Sequence, residues 1–333
     1  MKNTKDFYKN KKVLVAGGTG TIGVPLVKML VEQQADVSVV SMDTEAYTSR
    51  VLPKEVKFIR ADLTVPDNCA AVTKDIQYVF DMVGIKGSTQ TNNLHFSRML
   101  INFLLFQIHL LEESRKNKVE KFLLVGSICE YPQSLLAKEE STVWGFLPSQ
   151  NDKYVGMVKR LGELQAQAYF EENSWDAVRI IRPSNVYGPY DDFNPASAQV
   201  VGSLISQAVD NKYVKVLGDG KHIRDFVFSE DVAYWSLVAL EALNPCDAVN
   251  IGSGNGLSIK ELTEIIQIHL PDTKFEFTND GYQGDFIRVL STKKAKDKID
   301  YFERTSLVEG IGKTIKWYLD NKNTALIKGK FYE

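Results

Sequence analysis

Cysteine is scarce in this chain. The three residues Cys69, Cys129 and Cys246, among 333, are odd in number and form no C-x-x-C pair, which argues against a disulfide framework and against a thiolate zinc cluster. A reducing, cytoplasmic setting is the expectation that follows, with no metal site. No excess of either charge is present. With 40 basic against 42 acidic residues the net charge is −2, so no broad field draws the chain to nucleic acid or to a membrane surface. Long apolar runs are missing too. Residues 1–6 have no apolar core of a signal peptide, and the most apolar stretch, 100–111, is interrupted by Asn102, Gln107 and His109, as in a buried helix and not a membrane span. There is no internal repeat, and residues 321–333 read as a polar tail.

What is present is a chain long enough to bury a substantial core, organised around one stretch near its start. Val13 to Ala16 is a short apolar run, the glycines Gly17, Gly20 and Gly23 follow, and Leu26, Val27, Leu30 and Val31 recur at helical spacing. This is a strand turning through glycines into a helix. Gly17 suits the tight turn, Gly20 admits backbone N–H groups to a pyrophosphate, and Gly23 permits close helix–sheet packing, with the helix N-terminus facing the anion. A dinucleotide is the expected ligand.

Further strands are expected at 36–40, 56–60, 77–83, 119–126 and 177–182, alternating with helices, the longest near 93–116 and 152–172. The fifth strand delivers Ser127-Ile128-Cys129-Glu130-Tyr131-Pro132 at its carboxyl end, where parallel sheets bind ligands. A serine there can hydrogen-bond a hydroxyl or carbonyl, and a thiol two positions on can move protons beside a ketone. The next helix carries Tyr154-Val155-Gly156-Met157-Val158-Lys159 and Glu163. The sixth strand ends in Arg182-Pro183-Ser184-Asn185-Val186-Tyr187-Gly188-Pro189, and Gly218-Asp219-Gly220-Lys221-His222-Ile223-Arg224-Asp225-Phe226 and Gly284-Asp285-Phe286-Ile287-Arg288 follow later.

The G-x-x-G-x-x-G spacing, the Ser127/Cys129 loop and the R-P-x-N-x-Y-G-P segment resemble the extended short-chain dehydrogenase/reductases. Within them they resemble the NAD(P)-dependent nucleotide-sugar epimerase/dehydratase family, nearest in motif to its GDP-L-fucose synthase group. The resemblance spans roughly residues 11 to 320. It implies that Gly17, Gly20, Thr21, Ile22 and Gly23 hold the cofactor diphosphate, that Ser41 lies at the adenosine ribose, that Asp62 and Leu63 lie at the adenine, and that Lys159 and Pro183 lie at the nicotinamide end. Ser41 repels no 2′-phosphate, so NADP is placed ahead of NAD. For the substrate, a nucleotide-diphosphate sugar, it implies contacts from Asn185, Arg224 and Arg288. Ser127 would hold the sugar oxygen, and Cys129 or Glu130 would handle protons.

Two departures qualify this. Gly156, Lys159 and Glu163 match the family, which puts Val155 where the tyrosine of Y-x-x-x-K belongs. Tyr154 precedes Lys159 by five residues, and one residue rotates a side chain by about 100° around a helix. Gln199 falls where a second acid/base histidine is expected.

The expected fold is a doubly wound parallel α/β sheet, with a dinucleotide-binding domain at 1–185, a smaller substrate lobe at 186–320 whose segments return to the main sheet, and the tail at 321–333. The expected function is epimerisation or 4-keto reduction of a nucleotide-diphosphate sugar by hydride transfer at a ring carbon, in a homodimer. The alternative is a catalytically silent protein that binds the same ligands as sensor or scaffold.

Overall fold

The computed structural model describes residues 5–84, 96–195, 197–278 and 284–326. A short helix α1 (Lys5–Tyr8) leads into β1 (Lys12–Ala16), α2 (Gly23–Glu32), β2 (Asp36–Ser41), α3 (Glu45–Val51), β3 (Lys57–Arg60), α4 (Pro66–Thr73) and β4 (Tyr78–Asp81). The long helix α5 (Phe96–Lys116), β5 (Lys121–Val125), α6 (Lys153–Asn173), β6 (Val178–Pro183) and β7 (Asn185–Tyr187) follow. Then come α7 (Val200–Asn211), β8 (Tyr213–Val216), β9 (Ile223–Arg224), β10 (Phe226–Phe228), α8 (Ser229–Ala242), β11 (Ala248–Ile251), β12 (Leu257–Ser258), α9 (Ile259–His269), β13 (Lys274–Phe277), β14 (Ile287–Arg288), α10 (Lys293–Ile299) and α11 (Leu307–Leu326).

The main sheet has seven parallel strands in the order β11-β6-β5-β4-β1-β2-β3. Alternate residues of each strand point to opposite layers. Val13, Val15, Phe80, Leu123 and Ile181 pack with α2 and α8, and Leu14, Ala16, Val79, Leu124 and Ile180 pack with α4, α5 and α6. Both faces are covered, so the strands read as continuous apolar runs. After β3 the chain crosses to the other side of β1, which opens a crevice at the carboxyl ends of β1 and β4.

The smaller lobe has its own core of Phe193, Leu204, Ile205, Val214, Phe228, Leu262, Ile266 and Ile311. Ser258 caps α9 in a capping box with Glu261. Ser229 is the first helical residue of α8, with Phe228 at the cap position. The expected polar tail is helical as far as Leu326, with a break at Asn321; residues 327–333 lie outside the described residues.

Asp225, between β9 and β10, ties the lobe to the sheet. Its carboxylate accepts from Ser253 N (2.8 Å), Ser253 Oγ (2.7 Å) and Leu290 N (3.2 Å), and its carbonyl accepts from Asn185 Nδ2 (2.7 Å). Burial pushes this carboxyl up to about 6 against those donors. A carboxyl whose folded pKa lies above its unfolded value of about 3.9 binds more proton in the folded state between the two values. Stability from this group is therefore greatest below about pH 4 and is lost as the pH rises to about 6. In urea unfolding at stepped pH, Asp225→Asn is expected to remove a fall on the order of 2–3 kcal/mol across that window; an unchanged slope would place the titration elsewhere.

Candidate active site

The glycine turn closes around the crevice. Gly17 has φ +72°, and a Cβ there would stand 2.8 Å from the Met82 carbonyl oxygen, so the β1 turn lies directly against the end of β4. A Cβ at Gly23 would run into Gly17 O and Gly18 Cα, whereas one at Gly20 would meet only Gly17 O, at 3.3 Å. Gly20 thus leaves the open approach that a diphosphate needs. Ile22 caps α2, and Thr21 Oγ1 donates to Asp191 Oδ1 (3.2 Å).

At the end of β2 the decisive side chain is Asp43. Its Oδ2 accepts from Thr19 Oγ1 (2.5 Å) and lies 3.5 Å from Ser41 Oγ, while Oδ1 is buried with no partner. An orphaned carboxylate oxygen beside Ser41 is an acceptor awaiting a donor such as a ribose hydroxyl. Together with the glycine cradle, this arrangement fits a nicotinamide dinucleotide. Asp62 is engaged locally: Oδ1 accepts from Thr64 N (2.9 Å) and Thr64 Oγ1 (2.8 Å), an Asx turn that starts the approach to α4. Leu63 is buried beside it, its carbonyl facing Cys69 Sγ.

Beyond β5 the chain makes a single 3₁₀ turn, Ile128–Glu130, capped by Ser127, whose Oγ accepts from Cys129 N (3.1 Å). That leaves the Ser127 hydroxyl proton to donate. Glu130, expected as a proton carrier in the cleft, is instead fully buried. Its Oε1 accepts from Ser127 N (2.6 Å) and its Oε2 from Arg182 Nε (3.1 Å). Arg182 also pairs with Glu163 (2.8 and 2.6 Å) and donates to the Tyr131 hydroxyl (3.2 Å), which in turn donates to Asn250 Oδ1 (2.5 Å). Burial and the neighbouring Glu163 raise the Glu130 carboxyl well above the usual range, against the pull of Arg182. The sequence places Glu130 next to the thiol, but a charged arginine inside the fold takes both carboxylates.

Helix α6 is regular from Lys153, and the 3₁₀ turn before it ends at Asp152. The Tyr154 ring stacks on Phe96 at 4.9 Å, and half-buried Val155 packs against the core layer of α5 and α6. No phenol stands on the Lys159 face one turn ahead of that residue. Lys159 is buried and donates to Val125 O (2.7 Å). Asp81, at the end of β4, is fully buried with Oδ2 unpartnered; burial raises its carboxyl, and the Lys159 ammonium opposes this. A carboxylate ending an otherwise apolar strand was the signal in the sequence that could have singled it out.

Cys129 is half-buried. Its thiol is pushed up to about 11 by burial and by Asp152, with Arg288 opposing, so at neutral pH it carries its proton. Pro183 is buried at the end of β6, and Asn185 Nδ2 is held by the Asp225 carbonyl. Arg224 and Arg288 sit side by side on paired strands. Arg224 donates to Ile223 O (2.8 Å), and Arg288 pairs with Asp152 (2.7 Å). A separate cavity of about 590 Å³ opens at the β6–β11 edge, lined by Glu140, Trp144, Arg182, Cys246 and Lys294 among others, and contains none of the cofactor glycines.

The model of the NAD dependent epimerase/dehydratase family matches residues 13–252. The chain belongs to that family. A putative UDP-glucose 4-epimerase of Methanocaldococcus jannaschii is 28% identical over 321 residues, covering 94% of this chain and 100% of that protein. GDP-L-fucose synthase 1 of Arabidopsis thaliana is 27% identical over 325 residues, with 94% of each chain covered. Among solved structures, the UDP-glucose 4-epimerase of Thermotoga maritima with UDP-glucose superposes with a TM-score of 0.83 at 24% identity, over 92% of this chain and 98% of that one.

The family's glycine in α6 has a visible reason here. A Cβ at Gly156 would run into the Cys129 carbonyl oxygen and stand 2.8 Å from Pro148 Cβ, so α6 rests directly on the thiol loop. Gly156→Ala is expected to destabilise by about 1–3 kcal/mol, the cost of overpacking a close contact, read as a lower urea midpoint. A midpoint equal to wild type would show that the loop yields freely.

Proposed function

We propose that this chain is an NAD-dependent enzyme acting on a nucleotide-diphosphate sugar, by epimerisation or 4-keto reduction through hydride transfer at a ring carbon. The observation that carries this reading is the convergence at one sheet edge of the glycine cradle, the Ser127/Cys129 loop and Lys159. Bound nicotinamide would supply or accept the hydride. Ser127 donates a hydrogen bond to the sugar oxygen, and Cys129, protonated at neutral pH, gives or takes a proton at the adjacent carbon. Lys159 holds the nicotinamide ribose, and Asn185 and Arg224 receive the sugar and the diphosphate. Glu130 positions the Ser127 backbone and carries no proton to substrate in this scheme.

The cofactor preference changes from the NADP expected from Ser41 with Arg50 or Lys54 in reach of a 2′-phosphate. Asp43 places a carboxylate beside Ser41, which favours a ribose hydroxyl and repels a 2′-phosphate. Asp43→Ala is expected to weaken NADH binding about 10–100-fold, the worth of a hydrogen bond to a charged group, and NADPH binding far less. Fluorescence titration with both cofactors checks this, and equal losses for the two would remove Asp43 from the ribose site. A homodimer through the paired long helices is part of the proposal, supported by the exposed apolar side chains of Ile101, Leu105 and Ile108 on α5 and Leu161 and Leu164 on α6.

The silent binding protein is favoured by one observation, Val155 packed where the phenol belongs. The deciding experiment incubates the protein with NAD(H) and UDP-, GDP-, CDP- and dTDP-sugars, including 4-keto forms, followed by LC–MS. A new sugar is expected. No conversion, with cofactor and nucleotide sugar still stabilising the fold, would transfer the conclusion to the binding protein. In the active case Val155→Tyr, restoring a phenol four residues before Lys159, is expected to raise turnover by about 10²–10⁴-fold.

A further inference from the structure

Arg288 is engaged by two side chains of the loop and helix beside it. Its Nη2 lies 2.7 Å from Asp152 Oδ2 and 3.5 Å from Cys129 Sγ, and its buried Nε has no partner. Asp152 compensates the guanidinium charge at the foot of α6. Arg224, next to it in register, donates to the backbone carbonyls of Ile223 and Phe286.

We propose that Arg288 is a positioning residue for Cys129, oriented by Asp152 and holding the sulfur in place of gripping the diphosphate. The charged groups around the thiol are Asp152, from the foot of α6, and Arg288, from β14. Asp285 faces the guanidinium, and Lys138 and Arg224 complete the charged surroundings. The inference rests on the reading that Cys129 exchanges a proton with a ring carbon. In that step the S–H bond breaks and its electron pair stays on sulfur. The electron pair of the sugar enolate forms the new C–H bond. The thiolate that remains lies against the guanidinium until water reprotonates it. Burial and Asp152 hold the proton on the thiol, and Arg288 works against both, so its removal is expected to make the thiol a weaker acid.

The test needs no sugar substrate. In a Cys69→Ser/Cys246→Ser background, the rate of Cys129 alkylation by iodoacetamide is followed from pH 6 to 10, with the modified peptide identified by mass spectrometry. Arg288→Met is expected to slow alkylation at pH 8 about tenfold, since one unit of added proton affinity lowers the thiolate fraction by that factor. Arg288→Lys is expected to recover most of the rate. Affinity for UDP and GDP, measured by calorimetry, is expected to stay within about twofold of wild type. An alkylation profile identical to wild type overturns the proposal, and an accompanying tenfold loss of UDP or GDP affinity returns Arg288 to the diphosphate. If Arg288→Met does not fold, Arg288→Gln carries the same two readouts. A slowed alkylation without any conversion in the sugar panel would sink the enzymatic reading and leave the Arg288–Cys129 pair standing.

Discussion

A buried arginine sets the geometry of the sheet edge that carries Ser127 and Cys129. Arg182 ends β6 inside the fold, where an uncompensated guanidinium would cost several kcal/mol, on the order of what a buried unpaired charge costs elsewhere. Two carboxylates, Glu130 and Glu163, and the Tyr131 hydroxyl answer it. Each brings a different element with it: Glu130 the loop after β5, Glu163 the helix α6, and Tyr131 the chain leading away from the loop. Arg160 adds two donors to the Glu130 carbonyl. The loop bearing Ser127 and Cys129 is therefore clamped from below.

The same clamp explains why two carboxylates so near the site take no direct part in the proposed chemistry. Their lone pairs are committed, and their charge is shared with one arginine in a dry interior. The groups left with proton or donor capacity are the Ser127 hydroxyl, the Cys129 thiol and Lys159. Against the family pattern the missing element is the phenol, and an apolar side chain takes its place: half-buried Val155 packs against the core while Tyr154 turns outward onto Phe96. In the proposed scheme such a site holds a cofactor and moves a proton at sulfur, and a phenol does not carry the proton to oxygen.

Much of the fold was legible in the residues. Apolar runs bounded by glycines and polar turns gave the strands within two residues or so at each end. Fully buried parallel strands carry little else, and the G-x-x-G-x-x-G spacing fixed which turn faces the crevice. The placement of Ser127, Cys129 and Lys159 at the carboxyl edge followed from which strand or helix bears them, since elements and their ends are local properties. The reading went wrong where side-chain partners come from far along the chain. Glu130 was read as a cleft residue because its neighbours in sequence are, yet its partner Arg182 lies 52 residues away. For Arg288 the motif pointed to a diphosphate and gave no sign of the ion pair with Asp152.

Sequence by itself determined the alternation of strand and helix, the dinucleotide turn, the family and the absence of a phenol at Val155, because each is written in local spacing or residue identity. Only the tertiary structure decided which charges meet. Whether Asp43 keeps an unpartnered oxygen beside Ser41, whether Asp81 lies near Lys159 and whether Arg288 meets Asp152 and Cys129 all depend on burial and on distances between segments far apart in the chain. A low-dielectric interior makes those pairings energetically binding, and no local pattern encodes them.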